Sequence, residues 1–512
     1  MILNTLHDYV ADVSPSLIIT ATVGLLMFMG LLTFISSVSE DVLPGVPELK
    51  GFPVLGALPS HLINGIPDTI NRLIAIGSEG ISYANVVSNV LVSVHEPALV
   101  REVLGYPDEI ASREGDTSGG RMSWSPFLTL RRMCGQLSLF NYAGPGTRQQ
   151  RSVYIREFNS NKSNMEKFDS VRRIAKDHAD MLVADVDDIR YSADNFAIAL
   201  WGETLYGNPH QNADDKVLNL SNTIMDLAGD PWPAIWYYIQ LLFHIVSPGQ
   251  ATGSEAKLRS RVVEVVSHNI AKLEEYEAMN PKAPLKTIRN LSVNTGGGQT
   301  GRLSKVASEF ANLNLFGGHH SIGLNVTWCL IELDKHPEQL SRLMGEIDAA
   351  DTTDFAVVNN KMPYLDAVVT ETNRIHPTVH ATLRVINRET RLASASDVGK
   401  RDVILKPGMM VFISYLHLHT SEKFWGPDAR QFVPERFLEP GRYNKEKMPL
   451  MSFGYGPRNC VGYKFAIMAV KVYLITLLKT YKIDLKDHNH EGKLGTLLEP
   501  SKPVAVRATR RT

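Results

Sequence analysis

Cysteine is scarce in this chain: Cys134, Cys329 and Cys460 are the only three in 512 residues. An odd number at wide spacing excludes a disulfide framework and suits a reducing compartment. No CxxC pair occurs, which argues against a structural zinc site or a cysteine-held cluster. Net charge is lacking as well, with 53 basic residues against 54 acidic ones, so no overall field draws the protein onto nucleic acid. Internal repeats and low-complexity tracts are missing, and no glycine-rich dinucleotide motif or flavin-binding segment is evident. No Lys or Arg precedes Lys50.

What is present begins with a long apolar run. Leu17 to Val38 carries no charged residue, and as a helix it would reach roughly 33 Å, enough for a hydrocarbon core of about 30 Å. A cleaved signal peptide would want a basic leader and a shorter, earlier apolar run. The pattern therefore predicts a tail over 1–16, a transmembrane helix over 17–38 and a Pro/Gly-rich linker over 39–53. A body over 54–512 follows. Proline fixes φ and lacks a donor, so Leu43 to Pro53 reads as a stiff spacer leading away from the membrane. The first basic residues follow the span, which favours a cytosolic body.

With 44% hydrophobic and 21% charged residues, the body can bury a large core without staples. Short strand-like runs such as Val90 to Val94 precede a mostly helical stretch from about Asn164 to Ala350. Further short strands follow Lys400, and a last helix runs from about Gly462 to Thr480. The fold class expected is mainly α with small β-sheets. One long helix should span Leu303 to Asp334 with Gly317 and Gly318 inside it. Paired glycines cost a helix about 1 kcal/mol each, so they suggest that something approaches the backbone there. The aromatic segment Gly229 to Gly249 reads either as a buried helix or as a surface dipping into the bilayer.

The most informative segment is Phe453-Gly454-Tyr455-Gly456-Pro457-Arg458-Asn459-Cys460-Val461-Gly462. A cysteine directly before a helix meets unpaired N–H groups and partial positive charge, which favour the thiolate. Gly456 and Gly462 would leave room for a flat group against the backbone. Phe453 would shield the sulfur, and Arg458 would pair with an anionic substituent of that group. On these residues alone Cys460 is a metal ligand, a structural cysteine or a nucleophile, the last wanting a nearby His base.

These ten residues resemble the haem-binding signature of the cytochrome P-450 family, Phe-x-x-Gly-x-x-x-Cys-x-Gly, and the resemblance extends over almost the whole chain. It implies a single haem-thiolate catalytic domain with Cys460 as axial ligand of haem b iron. Glu371-Thr372-Asn373-Arg374 and Pro434-Glu435-Arg436-Phe437 resemble the family's Glu-x-x-Arg helix and the motif downstream of it. The resemblance implies a buried network of Glu371, Arg374 and Arg436 that locks the cysteine segment and is structural rather than catalytic. It also implies that Arg458, Arg384 and Arg151 meet the haem propionates, although Thr147 stands where the family carries tryptophan before the last of these.

Phe316-Gly317-Gly318-His319-His320-Ser321 resembles the family's oxygen-binding segment, in which an acid and a threonine relay protons. Here His320 replaces the acid and Ser321 the threonine, so the expected relay is altered: a hydroxyl beside a group that titrates near neutrality. Cys134 and Cys329 read as small buried residues. His376 and His380 have a zinc-like spacing, but Pro377 between them argues against one continuous helix.

The resemblance further implies a monooxygenase using O2, with electrons from NADPH through a separate reductase. A basic face of Arg458, Lys464, Lys445 and Lys447 is a candidate for steering that partner. Thr378 to Thr382 (Val379 and Thr382 in particular), the stretch around Leu497, and residues before Ser321 should line an apolar pocket for a lipophilic substrate drawn from the membrane. The general pattern resembles fungal members of specialised metabolism acting on a terpenoid, alkaloid or polyketide. The expected location is the endoplasmic reticulum membrane. The alternatives are desaturation, ring formation or rearrangement on the same fold, a reductase-independent peroxide or isomerase reaction, and a haem sensor or electron carrier.

Overall fold

The computed structural model describes residues 42–50, 68–77, 79–86, 89–113, 147–182, 185–206, 287–294, 305–398, 403–445, 448–495 and 497–511, with scattered positions between 260 and 279. The apolar run 17–38, the aromatic segment 229–249, Cys134 and Lys447 lie outside the described residues. Among the described residues no helix is long and apolar enough to cross a membrane.

Helices dominate. In chain order, those that shape the site are α1 (Pro97–Gly105), α2 (Thr147–Phe158), α3 (Asn161–Asp180), α4 (Ile189–Trp201), α5 (Lys305–Lys335), α6 (Pro363–Ile375), α7 (Tyr415–Thr420) and α8 (Tyr463–Thr480). Their limits follow from local chemistry. The Asp188 side chain caps α4 by accepting from the Arg190 N–H, satisfying a donor the helix cannot. Helix α5 runs unbroken through Gly317 and Gly318 and stops at His336, whose φ of −127° and ψ of 75° are what a residue before proline is pushed into. His376, before Pro377, ends α6 in the same way at φ −125° and ψ 64°.

The strands are β1 (Ile81–Val86), β2 (Asn89–Val94), β3 (Ala111–Ser112), β4 (Asp185–Val186), β5 (Ala381–Ile386), β6 (Thr390–Arg391), β7 (Ile404–Leu405), β8 (Met410–Ser414), β9 (Tyr481–Leu485), β10 (Gly492–Leu494), β11 (Leu498–Pro500) and β12 (Val506–Arg510). One five-stranded sheet has the order β1-β2-β8-β5-β3, in which β2 and β8 run parallel and the other pairs antiparallel. Strand β12 lies between β4 and β9, and β10 with β11 forms the C-terminal hairpin.

Among the described residues, the two largest apolar clusters carry the fold. The larger joins α2 to α6 and α8, with Phe196 stacked on Tyr473 at 4.2 Å and Trp328 fully buried. The smaller underlies the sheet and takes in Leu43 and Val46. Part of the expected spacer is thus part of the body. It is not extended throughout: Leu43 to Val46 form a turn, with the Val46 N–H donating to Leu43 O at 3.0 Å and Gly45 at φ +74°, and the residues after it are zipped to β1 by Leu49 N–H to Tyr83 O at 2.7 Å and Tyr83 N–H to Pro47 O at 2.9 Å. Burial of Leu43 and Val46 favours docking over a free linker.

Candidate active site

The cysteine loop is held from every side. The Cys460 N–H donates to Phe453 O at 2.8 Å, closing the loop, and the Gly462 N–H points back at the sulfur, 3.4 Å away. Gly462 is the residue preceding α8, so the sulfur sits at that helix's N-terminus as expected. Ser452 Oγ donates to Asn373 O of α6 at 2.9 Å, and Arg151 of α2 donates to Asn459 O at 2.8 Å and to Asn459 Oδ1 at 3.2 Å.

The glycines divide their duties differently from the expectation. Gly456 has φ +71°, and a Cβ there would stand 2.2 Å from Leu104 O, so it is glycine to let the loop lie against α1 rather than to admit a flat group. Gly462 does leave open space: a Cβ would meet only Phe158 Cβ, at 3.9 Å. Phe453 is half-buried, its ring centred 6.0 Å from that of Tyr463.

Cys460 keeps accessible surface, yet the surrounding protein desolvates it enough to push the thiol above its ordinary pKa, against the pull of the Gly462 N–H, Arg151 and Arg113. The sulfur keeps an open face within surrounding protein. The expectation that the protein alone favours thiolate is therefore not met, because burial outweighs the helix terminus; a bound metal deprotonates such a thiol directly.

Four guanidiniums stand together here: Arg113, Arg151, Arg384 and Arg458. Desolvation, then the charges of Arg384 and Arg458, pull Arg113 down to about 9, and desolvation with Arg458 brings Arg151 to about 10. Burial likewise lowers Arg384, which donates to Thr382 Oγ1 at 3.1 Å and to Leu383 O at 2.9 Å. Among the described residues, Asp108 is the carboxylate that balances them, held by Arg458 at 2.7 and 2.5 Å. Like charges gathered this closely lower one another, and an anionic guest among them would stabilise all four. A planar group with two carboxylates and an iron to meet Cys460 fits this donor set. Arg113 and Asp108 escaped the sequence reading because no motif spacing marks them; the chain brings them in beside β3.

Glu371, Arg374 and Arg436 are brought together with almost no exposure. Arg374 forks onto Glu371 at 2.6 and 2.7 Å, and Arg436 Nε lies 3.5 Å from the same carboxylate while also engaging Asp428 at 3.0 Å. The remaining Arg374 donors reach the carbonyls of His419 at 2.6 Å, Gln431 at 3.0 Å and Ala429. His419, also missed in the sequence, carries the network to the cysteine loop by accepting the Met451 N–H at Nε2, 2.8 Å. It can accept because burial, with the Arg374 charge, lowers it to about 3 and keeps it neutral.

On α5 the expected oxygen segment divides. A Cβ on Gly317 would meet nothing, whereas one on Gly318 would fall 2.3 Å from the Trp201 ring. Gly318 therefore serves the close packing of α4 on α5 rather than leaving room above a ligand. Ser321 is half-buried and donates to Gly317 O at 3.0 Å. His320 is buried between Asp194 Oδ2, 3.0 Å from Nδ1, and Glu499 Oε1, 3.2 Å from Nε2. Burial opposes its charge, but the two carboxylates prevail and raise it to about 10, so the near-neutral titration expected of it does not hold.

The two stretches expected to line a pocket lie side by side. The Leu498 N–H donates to Thr378 O at 2.9 Å, and His380 Nε2 donates to Gly495 O at 2.7 Å. Val379 is exposed, Leu497 is buried in the larger core, and Thr382 turns to Arg384. His376 instead stacks on Trp328 and meets Glu332 Oε1 at 2.8 Å. The two histidines therefore have separate partners, and among the described residues no cluster of His, Cys, Asp and Glu could hold a metal ion. Cys329 is buried, its thiol pushed up to about 12 by desolvation. Lys464 engages Asn159 and Asn161, and Lys445 is exposed.

The sequence profile of the family described as Cytochrome P-450 matches residues 80–507, which contain all of these groups. The chain belongs to the cytochrome P-450 family. Membership implies haem b, with Cys460 at the signature's ligand position. Among its relatives are the cytochrome P-450 monooxygenase claP of Ampulloclitocybe clavipes, 33% identical over 35% of this chain and 36% of that protein, and claU of the same fungus, 26% identical over 54% and 55%. Cytochrome P-450 3A19 of Capra hircus aegagrus is 34% identical over 38% of this chain and 89% of its own length. The matched stretches span between about a third and a half of the fungal relatives' lengths.

Proposed function

We propose that this protein is a haem-thiolate monooxygenase of fungal secondary metabolism, held in the endoplasmic reticulum membrane by residues 17–38 with its body in the cytosol. It takes O2 and electrons from a separate NADPH-dependent reductase and oxidises a lipophilic small molecule of the terpenoid, alkaloid or polyketide kind. The observation that carries the reading is the sulfur of Cys460 at the N-terminus of α8, with the charges of Arg151 and Arg113 acting on it and Arg384 and Arg458 beside them. Relatives named as monooxygenases in a fungus support the class of reaction and the setting.

Haem held at Cys460 supplies the oxygen chemistry. The chain's own residues do the rest. Arg113, Arg151, Arg384 and Arg458 orient the anionic edge of the group. The Gly462 N–H draws charge from the sulfur, and the Ser321 hydroxyl offers a proton beside the open Gly317 face.

A second reading, desaturation, ring formation, rearrangement or a peroxide reaction on the same fold, is favoured by one observation: the relay acid's place is taken by a histidine locked between carboxylates. Desaturation and ring formation also consume O2 and electrons and are told apart by the structure of the product, whereas reconstitution with reductase separates the reductase-independent reactions. The proposal expects product only with NADPH, reductase and O2 together. Product from peroxide, or from the protein alone, favours the second. Under the first reading, Ser321→Ala lowers product formed per NADPH oxidised; unchanged coupling removes Ser321 from the relay.

A further inference from the structure

Helix α5 presents His320 and Ser321 about 100° apart, so the two adjacent residues address different neighbours. Ser321 bonds back to Gly317, whose Cα side is open. His320 reaches two segments that lie 126 and 179 residues away in sequence, Asp194 on α4 and Glu499 on β11. We propose that His320 is a positioning residue, a strut that ties the C-terminal hairpin and α4 to α5 and thereby fixes the pocket edge around Leu497 and Leu498. The inference rests on the proposed function only for the role of that edge.

Both ring nitrogens of the strut are engaged, while Asp194 keeps one buried oxygen, Oδ1, without a hydrogen-bond partner among the described residues. Both ring nitrogens face carboxylate oxygens, and only a doubly protonated ring donates to both. Asp194 is wedged on the same face of α5: a Cβ on Gly323 would stand 1.9 Å from Asp194 Oδ1, so a single helix face holds the carboxylate from above and below. Glu499 is shared, its other oxygen 3.7 Å from Arg190 Nη1, and Arg190 grips Asp188. Asp188 in turn accepts the Val504 N–H at 3.2 Å, while the Ile189 N–H donates to Val504 O at 2.9 Å.

Two turns along α5 from His320, Trp328 Nε1 donates to Leu498 O at 3.1 Å. Strand β11 is thus pinned to α5 at both Leu498 and Glu499, and to the 378–382 stretch through the Leu498 N–H. Charged and titratable groups facing the ring are Asp194 and Glu499, with Arg190 beyond Glu499 and the His319 ring centred 5.9 Å away.

It follows that the sign of the group at 320 is set by its two partners. A glutamate there would gather three carboxylates in a buried space, and like charges so placed repel. The family's acid is excluded from this chain for that reason, and its return requires Asp194 and Glu499 to change as well.

The test compares wild type, His320→Glu, and His320→Glu combined with Asp194→Asn and Glu499→Gln, whose amides can donate to the new carboxylate. Two probes are titrated by the haem absorption shift: imidazole, which reads the iron alone, and dodecylimidazole, which also fills the pocket. Backbone hydrogen exchange over 492–500 is followed in parallel and needs no haem. His320→Glu is expected to weaken dodecylimidazole by about tenfold or more, to leave imidazole within about threefold and to speed exchange in β11. The triple variant is expected to recover both. If His320→Glu does not accumulate, accumulation of the triple variant is the expected rescue. Unchanged dodecylimidazole binding and exchange in His320→Glu, equal weakening of both probes, or a triple variant no better than the single one overturns the proposal. A wild-type protein without thiolate-ligated haem sinks the functional reading instead, while exchange still reads the strut.

Discussion

The cysteine loop and the middle of α5 were legible in the sequence to very different degrees. In the loop, nearly every role is backbone-local. Gly456 turns at positive φ, the Cys460 N–H closes on Phe453 seven residues back, and the Gly462 N–H lies beside the sulfur. Residue spacing records such geometry directly. In α5 the roles depend on distant partners. Trp201 explains Gly318, Asp194 explains Gly323 and half of His320, and Glu499 explains the other half. A motif on one helix cannot name what packs against it.

The largest effect that probes this contrast belongs to the network behind the loop. Arg374→Ala leaves Glu371 buried without its fork and frees three carbonyls, so it should cost about 3–5 kcal/mol and release the loop's hold on haem. Denaturant unfolding and haem content measure it; stability within error of wild type would break the claim that the loop is braced from α6.

Next come the glycines. Gly456→Ala meets both a left-handed backbone, costing about 1–2 kcal/mol, and the Leu104 carbonyl. Gly318→Ala meets only the Trp201 ring. Gly317→Ala meets nothing, and exchanging glycine for alanine within a helix should stabilise it by up to about 1 kcal/mol. Thermal melts should rank the three in that order, with Gly317→Ala at or above wild type. An equal loss for Gly317→Ala and Gly318→Ala would show that helix packing does not distinguish them.

A smaller effect is visible only as a function of pH. His320 is raised in the folded state, so its contribution is fully present below its unfolded value of about 6.5 and lost as pH rises through about 10. The stability gap between wild type and His320→Gln should therefore shrink between those limits, with Asp194 and Glu499 as the partners responsible. A gap independent of pH would deny the ring its charge.

The coarse fold was readable: the long helix, the final helix and the strand at Val90 to Val94 follow from periodicity and from proline and glycine punctuation. The docked 42–50 segment was not, since its prolines predict a stiff spacer but neither the turn at Leu43 to Val46 nor the strand that the rest lies against. Arg151, Arg384 and Arg458 could be found because they stand at fixed offsets from motifs. Arg113, Asp108 and His419 have no such offset, and their place comes from the packing of α1, β3 and α7 on the loop.

The central claim is that the Cys460 sulfur holds haem iron. The reduced, carbon monoxide-bound spectrum of the purified protein tests it most directly. The strongly red-shifted Soret band of thiolate ligation is expected in wild type, with loss of haem in Cys460→Ala. A histidine-type spectrum in wild type, or a thiolate-type spectrum retained in Cys460→Ala, would contradict it.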